Sequence, residues 1–249
     1  DCDGATDEHV VEACSTDWGV GQRACVDGAW AACDAPGPPV EVCNGLDDDG
    51  DQAIDEDLAV AVVNTTPAAL TAAFAYCDPA VSSWNGPCNA AVNRACAASD
   101  CAITGFGPVD LDGDVIVCLD ESEATIVYGS FAELNARHPD CGEFATHGGP
   151  CNAAIHRSCA EAGWVTGYGP LEHSYDLAVY ACTPGATVVS SSYTALAAHE
   201  PSCDGFAQRY GAYCAAAIHA ECQALGFTSG HGPLENSGDL AVIACLGGN

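Results

Sequence analysis

Four cysteines recur three times along the chain, in one order and at nearly one spacing. They are Cys77, Cys88, Cys96 and Cys118, then Cys141, Cys151, Cys159 and Cys182, then Cys203, Cys214, Cys222 and Cys245. The second cysteine of each set lies 63 residues from the next, and the third always follows the second by eight. Self-similarity at a fixed period is the mark of repeat construction. It extends beyond the cysteines: GPCNAAVNRAC, GPCNAAIHRSC and GAYCAAAIHAEC correspond, as do the turns TGFGPVD, TGYGPLE and SGHGPLE. Each set closes on an apolar run, DGDVIVC, DLAVYAC or DLAVIAC.

The expected fold class is α+β: three small disulfide-stapled units, each strand-helix-helix-strand-strand, after an irregular cysteine-rich segment. The units read as residues 58–120, 121–183 and 184–249, behind residues 1–57. Thr125-Ile126-Val127-Tyr128 has the β-branched and aromatic content of a strand, and a short helix is expected around Phe131–Leu134. The second helix begins at Gly149-Pro150, with proline in the first turn, and stops at Gly163. Cys151, Ala154, Ile155, Ser158, Cys159 and Ala162 make one helical stripe that should be buried. Gly-x-Gly-Pro after the helix reads as a turn.

The stripe limits the cross-links. Two cysteines eight residues apart on a helix are separated by about 12 Å along its axis, whereas a disulfide needs Cα atoms within about 7 Å. The second and third cysteines of a set therefore cannot bond each other, which excludes the nested pattern. First-to-second with third-to-fourth is favoured, and first-to-third with second-to-fourth stays open. Aromatics are only 7% of the chain, so each small core needs such staples.

Six cysteines lie outside the sets: Cys2, Cys14, Cys25, Cys33, Cys43 and Cys101. Their even number suggests that Cys101 pairs with an N-terminal partner, Cys43 above all, or else cross-links two chains. Eighteen cysteines together point to an oxidising, extracellular location. No apolar run is long enough to span a membrane, and the absence of methionine and of a leader fits a mature secreted product.

Charge narrows the partners. Thirty-five acidic residues face five arginines, for a net charge of −30. That argues against nucleic acid, which needs basic surface. Residues 1–57 carry 16 of the acids and a single arginine. Within them, Asp47, Asp49 and Asp51 alternate and Asp55 follows four later, as in calcium loops related to EF-hands. Ala53 would add a backbone carbonyl, Glu56 or Asp57 a further carboxylate, and Ile54 a plug for the core. Gln52 and Leu58 stand where an EF-hand has its glycine and its last glutamate. A solvated acidic linker is the alternative.

The stretch CSTDWGVGQRACVDGAWAAC followed by PPVEVCNGLDDDGDQAIDED resembles the metal-binding motif of MopE-type secreted proteins, common in myxobacteria and their relatives. That motif usually runs CNGLDDDCDGxIDE after a GxWxxC lead-in. Gly50 replaces its second cysteine, which leaves Cys43 available to Cys101. The family label mentions copper, but oxygen-only ligands suit Ca²⁺. The repeats resemble no family of known activity.

No nucleophile elbow, P-loop, HExxH or dinucleotide fingerprint occurs, so no enzyme is expected. His156 and His219 recur on the second helix and read as surface or interface residues. Asp110, Glu172 and Glu235, with Asp112, Asp176 and Asp239, could form a weak cation site in each unit. Trp84, Trp164, Tyr168 and Phe227 could line a sugar site, although core packing is the simpler role for Trp164 and Phe227. The expected function is an extracellular structural subunit, calcium- and disulfide-stabilised, that self-associates into an oligomer or filament. The alternatives are an adhesive or lectin-like protein with one carbohydrate site per repeat, and a secreted inhibitor or toxin-like factor.

Overall fold

The computed structural model describes residues 2, 10–36, 41–44, 46–50, 52, 54–55, 58–77, 86–142, 148–206 and 209–248. They form two compact bodies. The first comprises Asp1–Val42 and Leu46–Glu56, the second Cys43–Gly45 and Asp57–Asn249.

The first body is built on an antiparallel meander, β1 (Val11–Thr16), β2 (Gly19–Val26) and β3 (Ala29–Trp30). This corrects the irregular segment expected from its cysteine content. The overlooked signal is Asp27-Gly28, which joins β2 to β3 with φ of 52° and 78°. Both residues are left-handed, as a tight hairpin whose twist matches its strands requires. Cys2–Cys25 and Cys14–Cys33 staple the meander. Arg23 is held by Glu12 and lies over the Trp30 ring.

In the second body, one order of elements occurs three times. Residues 58–120 hold β4 (Val60–Asn64), α1 (Pro67–Ala73), α2 (Gly86–Ala97), β5 (Thr104–Phe106) and β6 (Val115–Leu119). Residues 121–183 hold β7 (Thr125–Ser130), α3 (Phe131–Arg137), α4 (Gly149–Glu161), β8 (Thr166–Ser174) and β9 (Leu177–Thr183). Residues 184–248 hold β10 (Thr187–Ser192), α5 (Tyr193–His199), α6 (Ala212–Ala224), β11 (Ser229–Ser237) and β12 (Leu240–Leu246). Each set of strands makes an antiparallel sheet with its last strand in the centre.

Local chemistry explains the helices. Thr66, Ser130 and Ser192 cap the short helices through side-chain oxygens, and Glu133 completes a capping box with Ser130. Helix α4 starts at Gly149 with proline in its first turn, and Gly163 beyond its end has φ 94°. Its buried stripe is as expected from Cys151 to Cys159, but Ala162 is the exposed C-cap.

Each sheet and its helices enclose a core of few large side chains and two disulfides. In the middle stretch Phe131, Leu134 and Ile155 pack with Cys141–Cys151 and Cys159–Cys182. The same pairing, first-to-second and third-to-fourth, holds on either side. Cys43 pairs with Cys101 within the second body. Trp164 and Phe227 pack against these cores.

The Gly-x-Gly-Pro segments are not turns. In β8 and β11 they are interruptions within one strand, where the register against the central strand shifts. Each contains a cis Gly–Pro peptide, at Pro108, Pro170 and Pro233. The first glycine has a steric cause. A Cβ on Gly105, Gly167 or Gly230 would collide with the sulfur of Cys96, Cys159 or Cys222.

A fourth apolar cluster draws on all three stretches, including Leu119, Tyr168, Leu171, Leu234 and Leu246. Around it run polar latches. Asn89 donates to the Pro170 carbonyl at 3.1 Å and Arg94 to Glu172 at 2.8 Å. One stretch along, Asn152 donates to the Pro233 carbonyl at 3.2 Å and Arg157 to Glu235 at 2.8 Å. At the equivalent helix positions of the last stretch stand Ala215 and Ala220, whose side chains can make neither bond. The double variant A215N/A220R supplies both missing groups. It should raise unfolding stability by about 1 kcal/mol, the worth of a neutral hydrogen bond with an exposed ion pair. A denaturant midpoint that stays put or falls contradicts the assignment of these latches.

Candidate functional site

The acidic loop is organised by a residue that the aspartate spacing does not reveal. Glu41 is only 7% exposed. Its Oε1 accepts the backbone N–H groups of Asp48 at 2.9 Å and Asp49 at 2.8 Å, and its Oε2 accepts that of Asp55 at 3.0 Å. A carboxylate that accepts amide donors on both oxygens curls the loop around itself. Asp47 then fastens the next turn, accepting Gly50 N–H at 2.6 Å and Gln52 N–H at 3.0 Å.

This folding gathers ligand-type oxygens. One carboxylate oxygen from each of Glu41, Asp47 and Asp49 lies within 4.8 Å of the others. Hard carboxylate oxygens on a tight loop fit a hard cation such as calcium far better than copper. Of the residues singled out by spacing, Asp47 and Asp49 join this group, and Asp55 donates its backbone N–H to the same Glu41. Asp51, Ala53 and Glu56 lie outside the described residues, as do Asp57, Trp84 and His147. Ile54 is 58% exposed and plugs no core. Glu41 could have been found from its place two residues before Cys43, within the stretch that carries the family resemblance.

Gln52 has φ 81°. It stands where an EF-hand has glycine, and it adopts the left-handed backbone that glycine would supply.

Five of the six paired acids of the three stretches are engaged by arginines or backbone N–H groups. Glu172 and Glu235 bind the arginines described above, and Asp110 accepts backbone N–H groups of Asp112, Asp114 and Val115. Asp176 and Asp239 cap the short helices at Ala132 and Thr194. The Asp110 hydrogen bond raises the pKa of Asp114.

His156 and His219 are half-buried, with Nδ1 at 2.9 Å from the hydroxyls of Thr166 and Ser229. Asn93 accepts from Thr104 at 2.9 Å in the same way. These contacts satisfy three wholly buried hydroxyls, which is a structural duty. Desolvation lowers the pKa of both histidines. More unusual is His231. It packs edge-on against Phe106 and tilted against Tyr168, with ring centroids 5.4 and 5.2 Å away. Burial, followed by the neighbouring His156, pushes its pKa down to about 3, and its Nε2 has no partner among the described residues.

No family model matches this chain, and no match is found among the curated proteins or the solved structures. Among the described residues no helix is long and apolar enough to cross a membrane.

Two outcomes are expected. E41Q keeps the shape of the side chain but removes its charge, and should speed amide exchange at Asp48, Asp49 and Asp55 by roughly tenfold or more, since hydrogen bonds to a charged group contribute about 1.5–3 kcal/mol. Unchanged exchange at all three would show that the loop does not depend on Glu41. His231 is kept neutral in the fold but titrates near 6.5 when unfolded, so its contribution is intact above that pH and is lost as pH falls. Below pH 6.5 the loss is about 1.4 kcal/mol per pH unit, and it levels off near the folded pKa of about 3. H231Y, which copies Tyr168, should therefore hold its stability better than the parent between pH 6 and about 4. Parallel stability–pH curves for the two proteins would contradict this.

Proposed function

We propose that this chain is a secreted, calcium- and disulfide-stabilised protein of three tandem units behind an acidic segment, and that it serves as an extracellular structural subunit. The observation that carries this reading is the complete pairing of its 18 cysteines into nine disulfides. Six of the nine staple the three small cores, two the N-terminal meander, and Cys43–Cys101 joins the acidic stretch of sequence to the first unit. Such cross-linking limits unfolding at every level of the chain, as suits long service in an oxidising, protease-rich medium.

The Glu41, Asp47 and Asp49 carboxylates support calcium as the accompanying ion, in keeping with the MopE-type resemblance of residues 14–57. Extracellular calcium modules commonly bind in the range of about 10⁻⁴–10⁻³ M. The net charge of −30 would make copies repel one another, and divalent cations would offset that repulsion and permit assembly.

Electron microscopy and sedimentation of the purified chain test the reading. Ordered oligomers or filaments are expected in millimolar calcium, with dispersal on adding EDTA and weakened assembly in D47N/D49N. Single chains throughout, at high protein concentration in calcium, would overturn it.

A further inference from the structure

The three Gly-x-Gly-Pro segments and the starts of the three long helices enclose a cavity of about 160 Å³ within the second body. The repeat itself creates this space. The first glycine of each segment is fixed by the sulfur that it faces, but the second has a different origin. Gly107, Gly169 and Gly232 have φ of 132°, 141° and 143°, a backbone that side chains rarely adopt. All three line the cavity and add no side chain to it. Gly148 and Gly211 line it as well, and a Cβ on either would meet nothing within 4 Å.

Large apolar groups make one wall. Phe106 and Tyr168 meet edge to face there, with centroids 5.2 Å apart and 65° between their planes. Leu171 and Leu234 line the same space. Tyr168, Leu171 and Leu234 belong to the apolar cluster shared by the three stretches, and Phe106 packs against it. The cavity therefore borders the centre of the second body. Polar side chains stand at the helix starts. Asn89 and Asn152 use their amide N–H groups on the Pro170 and Pro233 carbonyls, so their own oxygens keep the capacity to accept. Tyr210 also lines the cavity, seated where a Cβ on Gly149 would collide with its ring.

We propose that this cavity binds one monocyclic phenol, its ring against Phe106, Tyr168, Leu171 and Leu234 and its hydroxyl donating to the Asn89 or Asn152 oxygen. Size sets the class. An apolar cavity of about 150 Å³ holds benzene, so this one takes a single aromatic ring and excludes a fused pair. A flat ring extends the edge-to-face packing that Phe106 and Tyr168 begin. A bare hydrocarbon would leave a carboxamide oxygen with neither water nor a donor, which weakens binding, whereas a hydroxyl supplies the donor. Apolar walls with a few directed polar groups are the usual make-up of a small-ligand site. The three units would make one site jointly, in place of one site each.

The inference is independent of the assembly reading, since it concerns single chains. Saturation-transfer NMR and calorimetry on the intact protein, in EDTA, would use phenol. Toluene lacks its hydroxyl, cyclohexanol its flat ring and 2-naphthol its small size. Phenol should bind saturably with Kd on the order of 1 mM or tighter, and at least about fivefold more tightly than each of the other three. Its ring protons should show nuclear Overhauser effects to the Leu171 and Leu234 methyl groups. A215L places an isopropyl group on the cavity wall and should weaken phenol by about tenfold or more, while A220L, on the same helix but off the wall, should leave it unchanged. If A215L does not fold, the Overhauser contacts in the parent protein decide. p-Cresol and N-acetyltyrosinamide carry the same ring, and comparing them tells a free phenol from a tyrosine side chain of a polypeptide. The proposal is overturned if phenol does not bind, if toluene or cyclohexanol binds as tightly, if the contacts fall on other residues, or if folded A215L binds phenol like the parent.

Discussion

Each unit of the second body depends on one cross-link, the disulfide from the end of the long helix to the central strand of the sheet. Cys96–Cys118, Cys159–Cys182 and Cys222–Cys245 make it with Cα separations of 5.3, 5.4 and 5.4 Å. The apolar residues around it are few, and many are alanine. Small cores of this kind remove too little surface from water to offset the entropy of ordering the chain. The disulfide restricts the unfolded chain, and its sulfurs also fill the core. The neighbouring strand yields to this demand, because the glycine facing the sulfur cannot be replaced without a collision. The recurring first glycine of each Gly-x-Gly-Pro segment thus follows from the cross-link that it faces.

The second level of organisation is the junction between units. Its apolar centre is shared by all three, and its polar rim is graded. Among the described residues, two junctions have an asparagine–carbonyl bond and an arginine–glutamate pair, and the third, with alanine at both helix positions, has neither of these two. Exposed ion pairs are individually weak, so the difference lies less in total stability than in which junction loosens first. Tyr168 shows how closely the centre is knitted, since its hydroxyl reaches the buried Thr104 of the preceding unit at 3.3 Å. Burial also pushes its pKa well above the ordinary phenol value.

Much of this was legible in the sequence, and for physical reasons. The eight-residue cysteine spacing on a helix forbids one pairing outright, and the parity of the remaining cysteines points to Cys43 with Cys101. The long helices declare themselves through Gly-Pro starts and the Cys151–Cys159 stripe. Other features were hidden because they depend on distant partners. Nothing local shows that Gly169-Pro170 interrupts a strand instead of ending it, since the register shift exists only against β9. Nothing local marks Glu41 as the hub of the acidic loop, because its three partners are backbone groups that any residue could supply. The spacing drew attention to Asp55 and Ile54, yet one contributes through its amide and the other lies on the surface. Likewise His231 looks unremarkable beside Phe106 and Tyr168 until the three rings are seen to meet.

The meeting of the last unit with the first has a topological consequence. Gly247 lies beside Val60, so the closing strand of the third unit adjoins the opening strand of the first. Each of the three stretches of the second body therefore touches both of the others. Opening that body between Thr183 and Thr187 and bridging Gly248 to Leu58 would leave those three contacts in place, and chains opened in this manner commonly still fold. Such a circularly permuted protein would place the last stretch directly before the first, with a covalent connection where Gly247 and Val60 now only touch.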